Sequence, residues 1–220
     1  MLTQEQRYIL QEMGIPIWEE RKSVEKNETD LPGVSSDDWD SLKKEAMSCV
    51  KCPLSQTRQH VVFGVGNPQA ELLIIGEAPG ANEDRVGEPF VGRAGQLLDA
   101  MLASIDLKRQ DIYIANILKC RPPNNRDPTP AEVAACTPYL ERQIAHIKPK
   151  LILALGRIAA HYLLGVDTPL GKLRGQVLQY GESKTDLIVT YHPAYLLRTP
   201  KEKGKAYRDM LTVKRKLSEV

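Results

Sequence analysis

Leu72–Gly80, LLIIGEAPG, is the stretch from which the rest of the chain can be read. Four consecutive aliphatic residues, Leu72, Leu73, Ile74 and Ile75, predict a short strand covered on both faces of a parallel sheet. Gly76 ends the run, so Glu77 stands just past the carboxyl end of the strand. Pro79 and Gly80 then force a tight loop. Open α/β sheets bind ligands outside that end, which makes Glu77 a site candidate. Taken alone, a solvated glutamate at a strand exit is an equally ordinary reading.

The pattern recurs along the chain. Residues 112–115 (IYIA), 150–155 (KLILAL) and 187–190 (LIVT) predict three further buried strands. Between them lie helical patterns. One starts near Arg93, with Leu97, Leu98, Met101 and Leu102 on its apolar side. Another is capped by Thr129 with Pro130 at its first position. A third follows Gly156-Arg157, and the last spans roughly 201–217. The expectation is an α/β fold with a central four-stranded, mainly parallel sheet flanked by helices. VVFG at 61–64 predicts a short extra strand, and GKLRGQVLQY a loop and an edge strand. Residues 81–95 show neither helical nor strand periodicity; Phe90 among their glycines reads as core filler or as a stacking platform for a planar ligand.

Ahead of the sheet, residues 3–13 predict a short amphipathic helix, residues 19–38 a linker, and Ser36 an N-cap for a helix running toward Met47. This divides the chain into an N-terminal helical extension with an acidic linker, residues 1–40, and one domain, residues 41–220. Hydrophobic content of 42% and charged content of 26% describe an ordinary globular chain. No apolar run reaches the length of a membrane span and the N-terminus lacks a signal-peptide core, so a cytoplasmic protein with no membrane association is expected. The net charge of +2 conceals a gradient: residues 1–50 carry 6 Lys/Arg against 11 Asp/Glu, and residues 141–220 carry 15 against 7. The basic C-terminal third suits a polyanion such as nucleic acid, although charge alone fits a solvated basic face as well.

Cys49, Cys52, Cys120 and Cys136 form a C-x2-C pair followed, after 67 residues, by C-x15-C. Without a secretory signal, structural disulfides are not expected. Four thiolates from distant segments can close a site for zinc or for an iron–sulfur cluster, and spacing does not choose between them.

In a parallel sheet the four strand ends share one rim: Gly76-Glu77, Asn116, Gly156-Arg157 and His192-Pro193. A carboxamide presents a donor and an acceptor side by side and so matches O4 and N3–H of uracil, whereas cytosine reverses the exocyclic polarity. A histidine can donate to a developing anion, a carboxylate can orient water, and Phe90 can stack on a base. Together these suit cleavage of an N-glycosidic bond.

GEAPG at 76–80, GEPFVGRAG at 87–95, AN at 115–116, LALG at 153–156 and HPAYLLR at 192–198 resemble the family 4 uracil-DNA glycosylases, the iron–sulfur-containing branch of that superfamily. The resemblance runs from about Cys49 to about Lys216 and includes the cysteine spacing. It implies a monofunctional enzyme of base excision repair acting on uracil-containing DNA. Glu77 and His192 would be catalytic, Glu77 facing the attacking water and the sugar, His192 bonding O2 of the departing base. The uracil pocket would comprise Gly76, Ala78, Glu83, Phe90, Asn116 and His192, with Glu83 at the position that excludes the thymine methyl. DNA contacts would fall to Arg93, Lys119, Arg157, Tyr195, Leu196, Leu197 and Arg198, with 195–198 as the loop that wedges into the duplex and either leucine filling the vacated place. Cys49, Cys52, Cys120 and Cys136 would hold a structural [4Fe–4S] cluster.

Family 5 relatives carry an apolar residue where this chain has Glu77, and no histidine stands between Asn116 and Pro130 as in a covalently trapping relative. A monomer associated with the nucleoid is expected, with the extension as a place for replication or repair protein contacts that no motif names. Two other classes compete: a zinc-stabilised nucleic-acid-binding protein without turnover, and a redox sensor. Neither accounts for Glu77, Asn116 and His192 at one rim.

Overall fold

A computed structural model describes residues 39–219. The expected 3–13 helix, the linker and the Ser36 cap lie outside the described residues. Helix α1 (Trp39–Met47) leads through a 3₁₀ turn (Pro53–Gln56) to β1 (Val65–Gly66) and β2 (Leu72–Gly76). Then follow α2 (Ala81–Val86), α3 (Arg93–Ala103), β3 (Tyr113–Asn116), α4 (Pro130–Ile147) and β4 (Leu151–Leu155). The chain closes with α5 (Arg157–Leu164), α6 (Leu170–Leu173), β5 (Val177–Tyr180), β6 (Thr185–Thr190), α7 (Pro193–Arg198) and α8 (Lys203–Ser218).

The sheet has six strands in the order β1-β3-β2-β4-β6-β5. The four anticipated strands are its parallel centre, and β1 and β5 add an antiparallel edge on each side. The aliphatic run of β2 is explained by its two covered faces. Leu73 and Ile75 pack with α1, α4 and α5, while Leu72 and Ile74 pack with α3 and α8. Each such side chain contributes about 1.5–3 kcal/mol on burial, and β-branched isoleucine suits the extended backbone.

Connections from β2 run first to one side, into β3, and then across it to β4. The crevice beyond the end of β2 is therefore a topological switch point, where α/β sheets take ligands. Register completes the alignment: Gly76 pairs with Asn116 and Leu155 with Thr190. The residues after each strand consequently emerge side by side.

Three local expectations change. VVFG is not a strand; β1 begins at Val65, and Val62 N–H instead donates to the Lys119 carbonyl at 2.8 Å. Residues 81–86 are a helix, too short for periodicity to reveal, closed by Gly87 at φ 86°. Its Asp84 is buried and accepts from the backbone N–H groups of Gln59 and His60 at 2.9 and 3.3 Å, so one acid of that loop is structural. HPAYLLR forms a helix rather than an open loop, with Pro193 in its first turn. The Thr129 cap is as expected, and Glu132 completes a capping box with it.

Candidate active site and cysteine centre

The carboxyl ends of β2, β3 and β6 open into a cleft of about 430 Å³, lined by Glu77, Glu83, Phe90, Asn116, Asp127 and His192 among others. Its floor is made by the absence of a side chain. A Cβ at Gly76 would lie 2.3 Å from Asn116 Oδ1 and 2.7 Å from Phe90 Cζ. Only glycine lets the carboxamide and the ring close over the end of β2. Asn116 is 2% exposed, yet its Oδ1 has no hydrogen-bond partner. A buried acceptor left unmade costs about 1–3 kcal/mol, so this oxygen is held for a donor from outside.

Phe90 is 6% exposed and sits at φ 54°, a conformation that an L-residue reaches only with strain. The surroundings impose it. Glu83 Oε1 accepts from Val91 N and Gly92 N, both at 3.0 Å. Arg109 donates to the carbonyls of Phe90, at 3.0 Å, and Pro89. A Cβ at Gly95 would come within 1.7 Å of the Phe90 oxygen. The exposed-looking phenylalanine is thus a buried, clamped ring, 5.6 Å from the His192 ring.

His192 caps α7, its Nδ1 accepting from Ala194 N at 3.2 Å. With Nδ1 an acceptor, the proton of the neutral ring resides on Nε2. Burial, aided by Arg198 and opposed by Glu83, pushes the imidazole down to about 4. The ring is neutral at physiological pH and still a donor. Glu77 is shifted the other way: burial first, then the Asp127 charge, raise it, while Arg157 pulls it down. A carboxylate raised by burial is a better proton acceptor.

Around the mouth, Arg93, Tyr195 and Arg198 are exposed, and Arg157 pairs with Asp127 at 3.3 Å. Two expected surface contacts are not at the surface. Lys119 is 2% exposed, its Nζ donating to the Asn116 carbonyl at 2.9 Å and to Gln143 Oε1 at 2.6 Å. Leu196 is 1% exposed, packed in the core beside α3 and α8, because the turn of α7 directs it inward. Leu197, by contrast, is half-buried and keeps some exposed surface.

The four cysteines converge from the exit of α1, the segment after β3 and the second turn of α4. Burial raises the Cys136 thiol to about 11, with Lys119 opposing and Cys120 and Cys52 adding to the rise. Cys120 is raised by burial first and also by Cys52 and Cys49, while Arg58 lowers it. Arg58 donates to Cys120 Sγ at 3.1 Å and Lys119 N–H to Cys136 Sγ at 3.2 Å. Tyr139 Oη, buried without a hydrogen-bond partner, lies under the influence of Cys49. Donors aimed at sulfur fit thiolates that carry charge, as metal ligands do. Among the described residues, no group of three or more His, Cys, Asp or Glu is placed to hold a metal ion.

The family model described as Uracil DNA glycosylase superfamily matches residues 63–212. That span contains the whole of β2 to β6, the Phe90 clamp, Asn116 and His192. The chain belongs to this superfamily. The type-4 uracil-DNA glycosylase of Archaeoglobus fulgidus is 50% identical over 167 residues, covering 73% of this chain and 84% of that protein. The type-4 uracil-DNA glycosylase of Sulfurisphaera tokodaii is 47% identical over 171 residues, 74% of this chain and 78% of its own. A type-5 uracil-DNA glycosylase of Thermus thermophilus is 36% identical over 118 residues, 47% of this chain and 53% of that protein. Similarity over most of the length places the chain in the type-4 branch of the uracil-DNA glycosylases.

For a uracil-DNA glycosylase the pocket also relies on residues to which the sequence assigned no role. Arg109 holds the Phe90 turn by its backbone, and Gly95 permits its approach. Asp127 faces Glu77 electrostatically from the loop after Cys120. That loop is fixed by a paired contact of Arg126 with Glu132, at 2.5 and 2.8 Å, which holds the Glu132 carboxyl at about 2. Only the two-glycine frame around Phe90 carried a hint in the sequence. No helix among the described residues is long and apolar enough to cross a membrane.

Proposed function

We propose that this chain is a monofunctional uracil-DNA glycosylase, which rotates uracil out of DNA, hydrolyses its N-glycosidic bond and leaves an abasic site for base excision repair. The observation that carries the reading is the buried, unpartnered Oδ1 of Asn116 beside the Phe90 ring. It is an acceptor for N3–H of uracil, with the amide NH₂ meeting O4. Phe90 stacks on the base. Glu83, fixed by two backbone N–H groups, walls the side on which thymine carries its methyl group.

As the C1′–N1 bond breaks, its electron pair passes to the base and spreads onto O2. His192 Nε2–H donates to that oxygen, and a neutral donor does so without first surrendering its proton. Glu77 orients the water whose oxygen bonds to C1′, takes up its proton and faces the cationic sugar. Arg93, Arg157, Tyr195 and Arg198 engage the DNA around the cleft, and Leu197 fills the vacated stack. Cys49, Cys52, Cys120 and Cys136 would hold a [4Fe–4S] cluster, which supplies a structural tie between the α1 exit and the loop bearing Asp127.

The test is incubation with an oligonucleotide carrying one labelled-strand uracil. Scission at that position only after alkali is expected. Intact DNA that is nevertheless bound by cluster-loaded protein would overturn the reading and leave a binding module. A brown protein with visible absorption is expected for the cluster, a colourless one for zinc.

A further inference from the structure

Lys119 is a long cationic side chain inside the domain, joined at its two ends to the two centres of the molecule. Its backbone N–H donates to Cys136 Sγ at 3.2 Å, and residue 120 is itself a cysteine. Its Nζ donates to the backbone carbonyl of Asn116 at 2.9 Å and to Gln143 Oε1 at 2.6 Å. Gln143 is tied in turn, its Nε2 donating to the Phe63 carbonyl at 3.0 Å. Residues 117 and 118 are pinned to β2, Ile117 N–H on the Gly76 carbonyl and Leu118 N–H on that of Glu77, both at 3.0 Å. The strap 116–120 therefore has no slack: a shift of the sulfurs is transmitted to the peptide that carries the Asn116 carboxamide.

Among the described residues Lys119 forms no ion pair with a carboxylate. Cys136 and Cys120 are the groups that act on it electrostatically. A buried cation needs a paired and hydrogen-bonded setting. Metal-bound thiolates supply the charge, and two carbonyl-type oxygens supply the hydrogen bonds. The same residue thus answers to the cysteine centre and to the base-reading amide.

We propose that Lys119 is a positioning residue that couples the four-cysteine centre to uracil reading, setting the attitude of Asn116 through its backbone carbonyl. The inference rests on the reading of Asn116 given above and deepens it. Lys119 touches neither base nor water and acts through Asn116. Coupling of this kind is reciprocal, so engagement of uracil should also steady the cysteine centre.

The experiment is a double-mutant cycle on holoprotein, with Lys119→Met, Asn116→Ala and the double variant. The probe is a duplex carrying one 2′-fluoro-deoxyuridine, which is bound but not cleaved, against the same duplex with thymidine. Iron content and visible absorption are measured on each variant. Lys119→Met is expected to keep its iron and to lose about tenfold in preference for the uracil duplex. Asn116→Ala should lose at least as much, and the double variant little more than Asn116→Ala alone. In wild type, the uracil duplex should slow bleaching by a chelator more than the thymidine duplex does, and in Lys119→Met the difference should vanish. If Lys119→Met does not load iron, Gln143→Leu takes its place, since it removes one anchor of Nζ and leaves every sulfur contact intact.

Unchanged preference in Lys119→Met, or strictly additive losses, would overturn the coupling and make Lys119 a buried structural residue. Wild-type preference in Asn116→Ala would instead overturn the base-reading role, whatever Lys119 does. The two failures are thereby told apart.

Discussion

Two buried carboxamides stand on either side of Lys119, and they are treated in opposite ways. Gln143 is fully enclosed, its oxygen taking the Lys119 ammonium and its nitrogen the Phe63 carbonyl. Asn116 is almost as deeply enclosed, but its Oδ1 has no partner. A satisfied buried amide is part of the architecture, whereas an unsatisfied one spends stability to keep a place open. The difference separates structure from site more sharply than burial, since both residues are interior and polar.

The comparison can be broken in several ways. The largest effect is expected on the site side: His192→Ala should reduce single-turnover excision about 10²–10³-fold, as for loss of one oxyanion donor. Rates within a few-fold of wild type would remove His192 from the chemistry. Exchanging each amide for leucine should separate their costs in stability. Gln143→Leu should lower unfolding free energy in urea by about 1–3 kcal/mol, because the Lys119 ammonium loses an acceptor. Asn116→Leu should cost less than that, since it deletes an unmet acceptor, while abolishing preference for uracil. Equal destabilisation would mean that Asn116 Oδ1 is satisfied in solution. Asn116→Asp, whose protonated form reverses the pairing polarity, should release some cytosine; none at all would weaken the base-reading assignment.

The acid limb of stability gives a smaller signal. His192 lies near 4 in the folded protein against an ordinary 6.5, so between those values the unfolded chain binds a proton that the folded chain refuses. Its contribution is therefore full above about pH 6.5 and falls as the pH drops toward 4. Glu77, raised by burial, works in the opposite sense and favours the folded state when protonated. His192→Gln should flatten the slope in that window, and an unaltered slope would deny the burial of a neutral ring. Smallest of all, Arg198→Ala should reduce the salt slope of DNA binding by about 1, and no change would take Arg198 off the phosphate path.

The parallel centre of the sheet was legible because double-sided burial leaves an unbroken aliphatic run, as in β2 and β4. Glu77, Asn116 and His192 were legible for the same reason, each standing directly after such a run. Edge strand β1 was misplaced by four residues because two residues carry no period. The helix at Ala81–Val86 was missed because six residues scarcely exceed one and a half turns. Lys119 and Leu196 were misread through their neighbours. A lysine beside Cys120 and Arg121 resembles a surface cation, and the turn of α7 that tucks Leu196 inward depends on contacts with α3 and α8 that lie far off in sequence. Long-range closure, rather than local preference, decided both.

Gly95 has a consequence for how such a protein would look to a mutational survey. It has no side chain, lies in the first turn of α3 and touches the site only by letting the Phe90 carbonyl approach it. Alanine there, normally a benign or even favourable change within a helix, should displace the aromatic platform. A survey scored on activity would mark position 95 as strongly as a reacting residue, and one scored on helix preference would call it an improvement. The two maps would disagree most at the position where the enzyme presents nothing but space.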